Sequence, residues 1–204
     1  MIKYLFVEPS LRGSRLQVLA WMVRAIRAEE PDADIAVLTR DDWESPHYHE
    51  LLGEDGRNVT IFPVALSNRG QWVANLNVRD MFAMLAELRR VGNSYGIKNV
   101  IFCALDECLS AYSLVAPLIA VLTRGMRLNV IKYRVEYLLP ARGFPLHVSS
   151  IRNTVLRLIT CWGIAASRAR LLVFDERLAG MRFGGFVAHL LPDPWVGKFS
   201  PARR

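Results

Sequence analysis

The chain has 204 residues, 52% of them hydrophobic and 22% charged, with 26 basic residues against 19 acidic and a net charge of +7. That length and apolar fraction provide the core of one large domain and exclude an intrinsically disordered chain. All but four of the basic residues are arginines, a set suited to bidentate recognition of phosphate or carboxylate, although a GC-rich genome produces the same bias.

The first expected element is a strand over 2–8, "IKYLFVE", too short and too soon followed by proline to be a signal peptide. The loop after it, "EPSLRGSRL", holds a single glycine. A dinucleotide fingerprint needs three spaced glycines for close approach of the pyrophosphate, so NAD and FAD enzymes are disfavoured, and no GxxxxGK[ST] run supports a P-loop enzyme. What the loop does place at the start of a helix over 14–29 is Arg12, Gly13 and Ser14. Free N–H groups and the helix dipole at such a position hold one phosphate or carboxylate. Equally, Gly13 is a turn residue and Ser14 an N-cap, and both readings can hold together.

A second strand is expected over 34–39 and a third over 59–63, with loops over 40–58 and 64–77. His47 and His49 lie in the first of these loops near Asp41, Asp42 and Glu50, but without a clear third ligand they read as loop surface, and no metal is expected. In the helix over 78–92 the stripe Met81, Met84, Leu85 and Leu88 is core packing.

After a strand over 98–103, "CALDECLSAYS" puts Asp106 and Glu107 at the start of a helix over 107–124. They are either partners of the helix dipole or the catalytic pair, accepting hydrogen bonds from substrate hydroxyls or acting as a base. That helix carries Pro117 in the longest apolar run of the chain, which is too short to span a bilayer. A strand over 128–134 leads to Arg134 and Glu136, two residues apart on one side of an extended chain, forming a salt bridge or a substrate clamp. A helix over 150–167, a strand over 170–174, a short helix over 175–182 and a strand over 187–191 complete the pattern. The three cysteines, Cys103, Cys108 and Cys161, show no CxxC spacing and suggest neither a disulfide framework nor a zinc site, and the run GNSYG over 92–96 follows an expected helix rather than a strand and so is no nucleophile elbow. Strands alternating with helices predict an α/β fold: a doubly wound, mainly parallel Rossmann-like sheet of about seven strands with helices on both faces.

The segment 168–201, "SRARLLVFDERLAGMRFGGFVAHLLPDPWVGKFSP", resembles the N-terminal domain of B-type glycosyltransferases, most nearly the retaining family 4 group. Asp175 and Glu176 stand where that family has a Ser-Glu-like pair, and Pro192, Asp193, Pro194 and Phe199 stand at its "PNPVD...F.P" turn. The family's second glycine of the first loop is Arg12 here, and its frequent histidine after the fifth strand falls near Arg134 or Glu136. The resemblance implies an N-terminal glycosyltransferase domain over 1–191 and, over 192–204, the start of a linker to a C-terminal donor-binding domain. It implies transfer of a sugar from a nucleotide sugar, as co-substrate and with no cofactor, to a glycan or lipid-linked acceptor in cell-surface glycan or glycolipid synthesis. Arg12, Gly13, Ser14, Arg134 and Glu136 would then serve the donor phosphate or the acceptor, and the isolated domain would be inactive. The unpaired cysteines, read as reduced thiols, suggest a cytoplasmic location; the lipid-linked acceptors and the arginine-bearing apolar helices over 14–29 and 150–167 suggest peripheral attachment to the anionic inner face of the plasma membrane, unless those helices spend their apolar faces on the sheet. The alternative is a stand-alone, non-catalytic Rossmann-like binding or scaffolding subunit. Nucleic acid is not an expected partner, since no recognisable module accompanies the charge.

Overall fold

The structure is a computed structural model that describes residues 2–11, 13–41, 59–67, 76–103, 105–132, 138, 148–178, 180–183 and 186–191. Its elements run β1 (Tyr4–Val7), α1 (Gly13–Glu29), β2 (Ile35–Arg40), β3 (Val59–Val64), α2 (Val78–Tyr95), β4 (Asn99–Phe102), α3 (Leu105–Leu122), β5 (Arg127–Lys132), α4 (Val148–Ser167), β6 (Arg170–Val173), β7 (Arg182–Phe183) and β8 (Phe186–Leu190). One sheet takes the order β3-β2-β1-β4-β5-β6-β8-β7, parallel throughout except for β7 against β8. The first six strands have the order of a doubly wound dinucleotide-binding sheet, with its reversal of direction between β1 and β4.

The central strands are apolar on consecutive residues because both of their faces are covered. Leu5, Val7, Leu38, Val100 and Val130 join the core under α2, α3 and α4, whereas Phe6, Val37, Ile101 and Ile131 join the core under α1. Each side chain of this kind contributes roughly 1.5–3 kcal/mol by leaving water. The stripe Met81, Met84, Leu85 and Leu88 is fully buried against the sheet, as its spacing predicts. Asn77 caps α2 by accepting from the Asp80 N–H at 2.8 Å, and Gly96 ends it in the left-handed region at φ 62°, which a side chain would disfavour.

At the far edge the structure departs from the expected order. Instead of a helix over 175–182 there is a single 3-10 turn, Glu176–Leu178, followed by β7. Asp175 accepts from the Arg177 backbone N–H at 2.9 Å and from its guanidinium at 2.6 Å, closing the turn within two residues. The two-residue β7 then pairs with β8, so the sheet has eight strands.

The helices α3 and α4 pack at close range, and the reason lies in two residues. Gly163 brings α4 so near that a Cβ there would lie 2.4 Å from Ser113 Oγ and 3.3 Å from Ser113 Cα. Pro117 has no N–H, so the Ser113 carbonyl four residues earlier loses its helical donor. The indole N–H of Trp162 donates to that carbonyl at 3.2 Å, and Ser113 Oγ donates to the Ile159 carbonyl at 3.0 Å. Gly163→Val is expected to separate the two helices and destabilise the fold by about 1–3 kcal/mol, against the helix propensity valine has over glycine. The check is a lower urea midpoint at unchanged denaturant slope.

Candidate functional site

In an open α/β sheet, ligands bind beyond the carboxyl ends of the strands at the switch point, here the ends of β1 and β4. Pairing continues one residue past both strands. The Glu8 N–H donates to the Leu38 carbonyl at 3.0 Å, and the Cys103 N–H to the Val7 carbonyl at 3.1 Å. Glu8 therefore lies between Thr39 of β2 and Cys103, and strand alternation puts all three on the α1 face of the sheet.

Glu8 is wholly buried. Its Oε1 accepts from the Ser10 N–H at 2.9 Å and lies 3.5 Å from Arg15 Nη1 on the first turn of α1, an ion pair rather than a short hydrogen bond. Burial outweighs the attraction of Arg15 and pushes the carboxyl up to about 7. Glu8 Oε2 and Thr39 Oγ1 are buried and have no hydrogen-bond partner among the described residues. Beside them, burial and then the Glu8 charge push the Cys103 thiol well above its ordinary range, so it is inert as a nucleophile.

The helix that covers this cluster begins at Gly13, with Ser14 as its second residue, so Ser14 is not the N-cap. No acidic residue occupies the first turn of α1, which leaves the positive end of its dipole uncompensated by its own sequence.

On the opposite face the N-terminus of α3 brings Asp106 to the end of β5. Lys132 Nζ donates to Asp106 Oδ1 at 2.5 Å, with the lysine 1% and the carboxylate 12% exposed. The pair explains how a lysine can end a buried strand: its charge is met by a carboxylate held at a helix start. Asp106 is thus a hydrogen-bond acceptor already oriented by a cation. Cys108, one turn along α3, is pushed up to about 12 by burial and then by the nearby carboxylates of Glu8 and Asp106.

Of the residues singled out from sequence, Asp106, Gly13 and Ser14 lie at the carboxyl end of the sheet, as expected from the loops that carry them. Arg12, Arg134, Glu136 and the side chain of Glu107 lie outside the described residues, as do His47, His49 and the segment 192–204. The sequence reading missed Glu8, Arg15, Thr39 and Lys132. A signal for two of them was available, since a charged residue at the last position of an otherwise apolar strand, as in "LFVE" and "NVIK", marks a strand end that faces a site.

A cleft of about 790 Å³ at the other end of the sheet is lined by Lys3, Tyr4, Glu30, Lys98, Asn99 and Arg127. Its carboxylate, Glu30, is shared by Lys3 and the Tyr4 hydroxyl. It lies at the amino ends of the strands, away from the loops that carry chemistry in this architecture. We therefore place the site at the switch point.

No family model matches the chain, and no curated protein matches it. Among solved structures, the chain is similar to "ElxO with NADP Bound", at 10% sequence identity over 85% of this chain and 72% of that one, with a TM-score of 0.45. That distance transfers no ligand and no chemistry. The Rossmann-like assignment stands on the strand order and the parallel register of this chain itself. Among the described residues no group of three or more potential metal ligands occurs, and no helix is long and apolar enough to cross a membrane.

Proposed function

We propose that this chain is the acceptor-binding half of a retaining B-type glycosyltransferase, moving a sugar from a nucleotide-sugar donor to an acceptor hydroxyl. The sequence resemblance over 168–201 supplies the family. The observation that carries the reading in the structure is the oriented carboxylate of Asp106, held by Lys132 at the carboxyl end of the sheet. Such a group accepts a hydrogen bond from an acceptor hydroxyl without further reorganisation, which is the positioning part of the reaction. The N-terminus of α1 provides the complementary charge. Its N–H groups and the nearby Arg15 favour the diphosphate as negative charge develops on the leaving group. Buried Glu8, close to neutral pH in its titration, tunes that potential through its contact with Arg15. A second domain supplies the donor site and closes the cleft over the acceptor.

The test is an amide NMR titration of the chain with short oligosaccharides and, separately, with UDP, GDP and NADPH. Oligosaccharide is expected to shift the amides of Arg15, Leu105 and Asp106 with millimolar affinity, and Asp106→Asn to weaken that binding about tenfold. Micromolar binding of NADPH at the same amides, with no response to sugar, would replace the transferase reading with that of a dinucleotide-binding module.

A further inference from the structure

The outer surface of α3 and α4 is apolar in a way that covering the sheet does not require. Leu114, Leu118 and Val121 on α3, with Ile151, Leu158 and Trp162 on α4, are between 38% and 69% exposed. Their spacings, four and three residues on α3 and seven and four on α4, place each set on one stripe facing away from the sheet. Both helices return the chain from the carboxyl to the amino end of a parallel sheet, so the two stripes run side by side. Together the six side chains present on the order of 600 Å² of apolar surface, close to one partner's share of a standard protein–protein interface. Solitary exposed apolar residues need no explanation, but a contiguous patch of this size does.

We propose that this face is the interface of a two-fold symmetric homodimer, in which α3 and α4 of one copy pack on α3 and α4 of the other. Charge selects a second copy over a membrane. Between Cys108 and Leu122 the sequence carries no charged residue, so apposing α3 on α3 brings no like charges together, and the basic residues of α4 are Arg152, exposed beside Ile151, and Arg157. An interfacial helix of the membrane-binding kind draws basic residues into its contact face. Here the guanidinium of Arg157 lies 5.9 Å from the ring of Phe183, turned to the β7 edge and away from the stripe. The other helix expected to meet a membrane, α1, has Leu16, Leu19 and Val23 fully committed to the sheet. Trp162 is the anchor. Its indole is 60% exposed yet fixed by its hydrogen bond to the Ser113 carbonyl, so it loses little rotational freedom on docking.

The proposal is tested by sedimentation equilibrium of the full chain from 1 to 100 µM. The wild type is expected at twice the 23.1 kDa monomer mass, and Leu114→Asp/Leu158→Asp as a monomer whose self-association is at least 100-fold weaker, with an unchanged far-UV spectrum. Val121→Lys, at the last exposed turn of α3, gives the same reading should the double variant fail to fold. A wild type that stays monomeric at 100 µM overturns the proposal, as does a dimer that both variants leave intact. So does a monomer that binds phosphatidylglycerol vesicles through this face and ignores phosphatidylcholine.

Discussion

Glu8→Gln is expected to leave the chain nearly as stable as the wild type at pH 5 and to make it roughly 2–3 kcal/mol more stable at pH 8. The sign follows from the direction of the shift. Burial raises the folded-state carboxyl from its ordinary value of 4.5 to about 7. Between those two values the folded protein keeps a proton that the unfolded chain has released. Stability from this group is complete below the unfolded value and falls as pH rises through the folded one. Glutamine mimics the protonated carboxyl at every pH and removes the dependence. Urea midpoints of both proteins at half-unit intervals from pH 5 to 8 supply the comparison: the gap should widen steadily with pH. Parallel curves would mean that Glu8 is charged throughout and that Arg15 fully offsets its burial.

The second large effect is on the opposite face. Lys132→Met is expected to destabilise the fold by about 3 kcal/mol, because it removes the cation that donates to Asp106 Oδ1 in a largely buried position. Adding Asp106→Leu should recover most of that loss, since two apolar groups of similar volume replace the pair and no buried charge remains. A double-mutant cycle in urea measures the coupling. A single-variant loss under 1 kcal/mol, or a double variant no more stable than Lys132→Met, would show that the pair is screened and incidental. The two predictions separate the two halves of the site, one governed by a carboxyl without sufficient compensation and one by a carboxylate with a close partner.

Regular elements were legible where a period of residues fixes burial. The strands expected over 2–8, 34–39, 59–63, 98–103, 128–134, 170–174 and 187–191 each overlap an observed strand, with ends that differ by at most two residues, because consecutive apolar residues between polar turns have few other uses in an α/β chain. The expected helix over 175–182 was not legible correctly. Leu178, Ala179 and Met181 look helical in spacing, but Asp175 and Arg177 close a tight turn through a local side-chain contact that no periodicity reports. β7 escaped because two residues, Arg182 and Phe183, form a strand only through their pairing with β8. The site was half legible for a related reason. Asp106 stood out as an acid at a helix start, while Glu8 read as the last letter of the strand over 2–8 and Lys132 as an interior residue of the strand over 128–134. Their importance comes from neighbours distant in sequence: Thr39 and Arg15 for one, Asp106 for the other.

The place of β1 in the sheet sets a condition on the order of synthesis. β1 is flanked by β2 on one side and β4 on the other, with Tyr4 opposite Asn99, 95 residues later. A ribosome adding about 5–20 residues per second takes roughly 5–20 s to cover that distance. Until β4 emerges, Leu5, Phe6 and Val7 present an unpaired apolar edge, the kind of template on which nascent chains associate. Of the described strands, the one that anchors the site is thus the earliest made and the one that waits longest for its second neighbour. Slowing translation within the codons for α2 should therefore raise the insoluble fraction of the newly made chain, whereas the same delay placed after β5 should not.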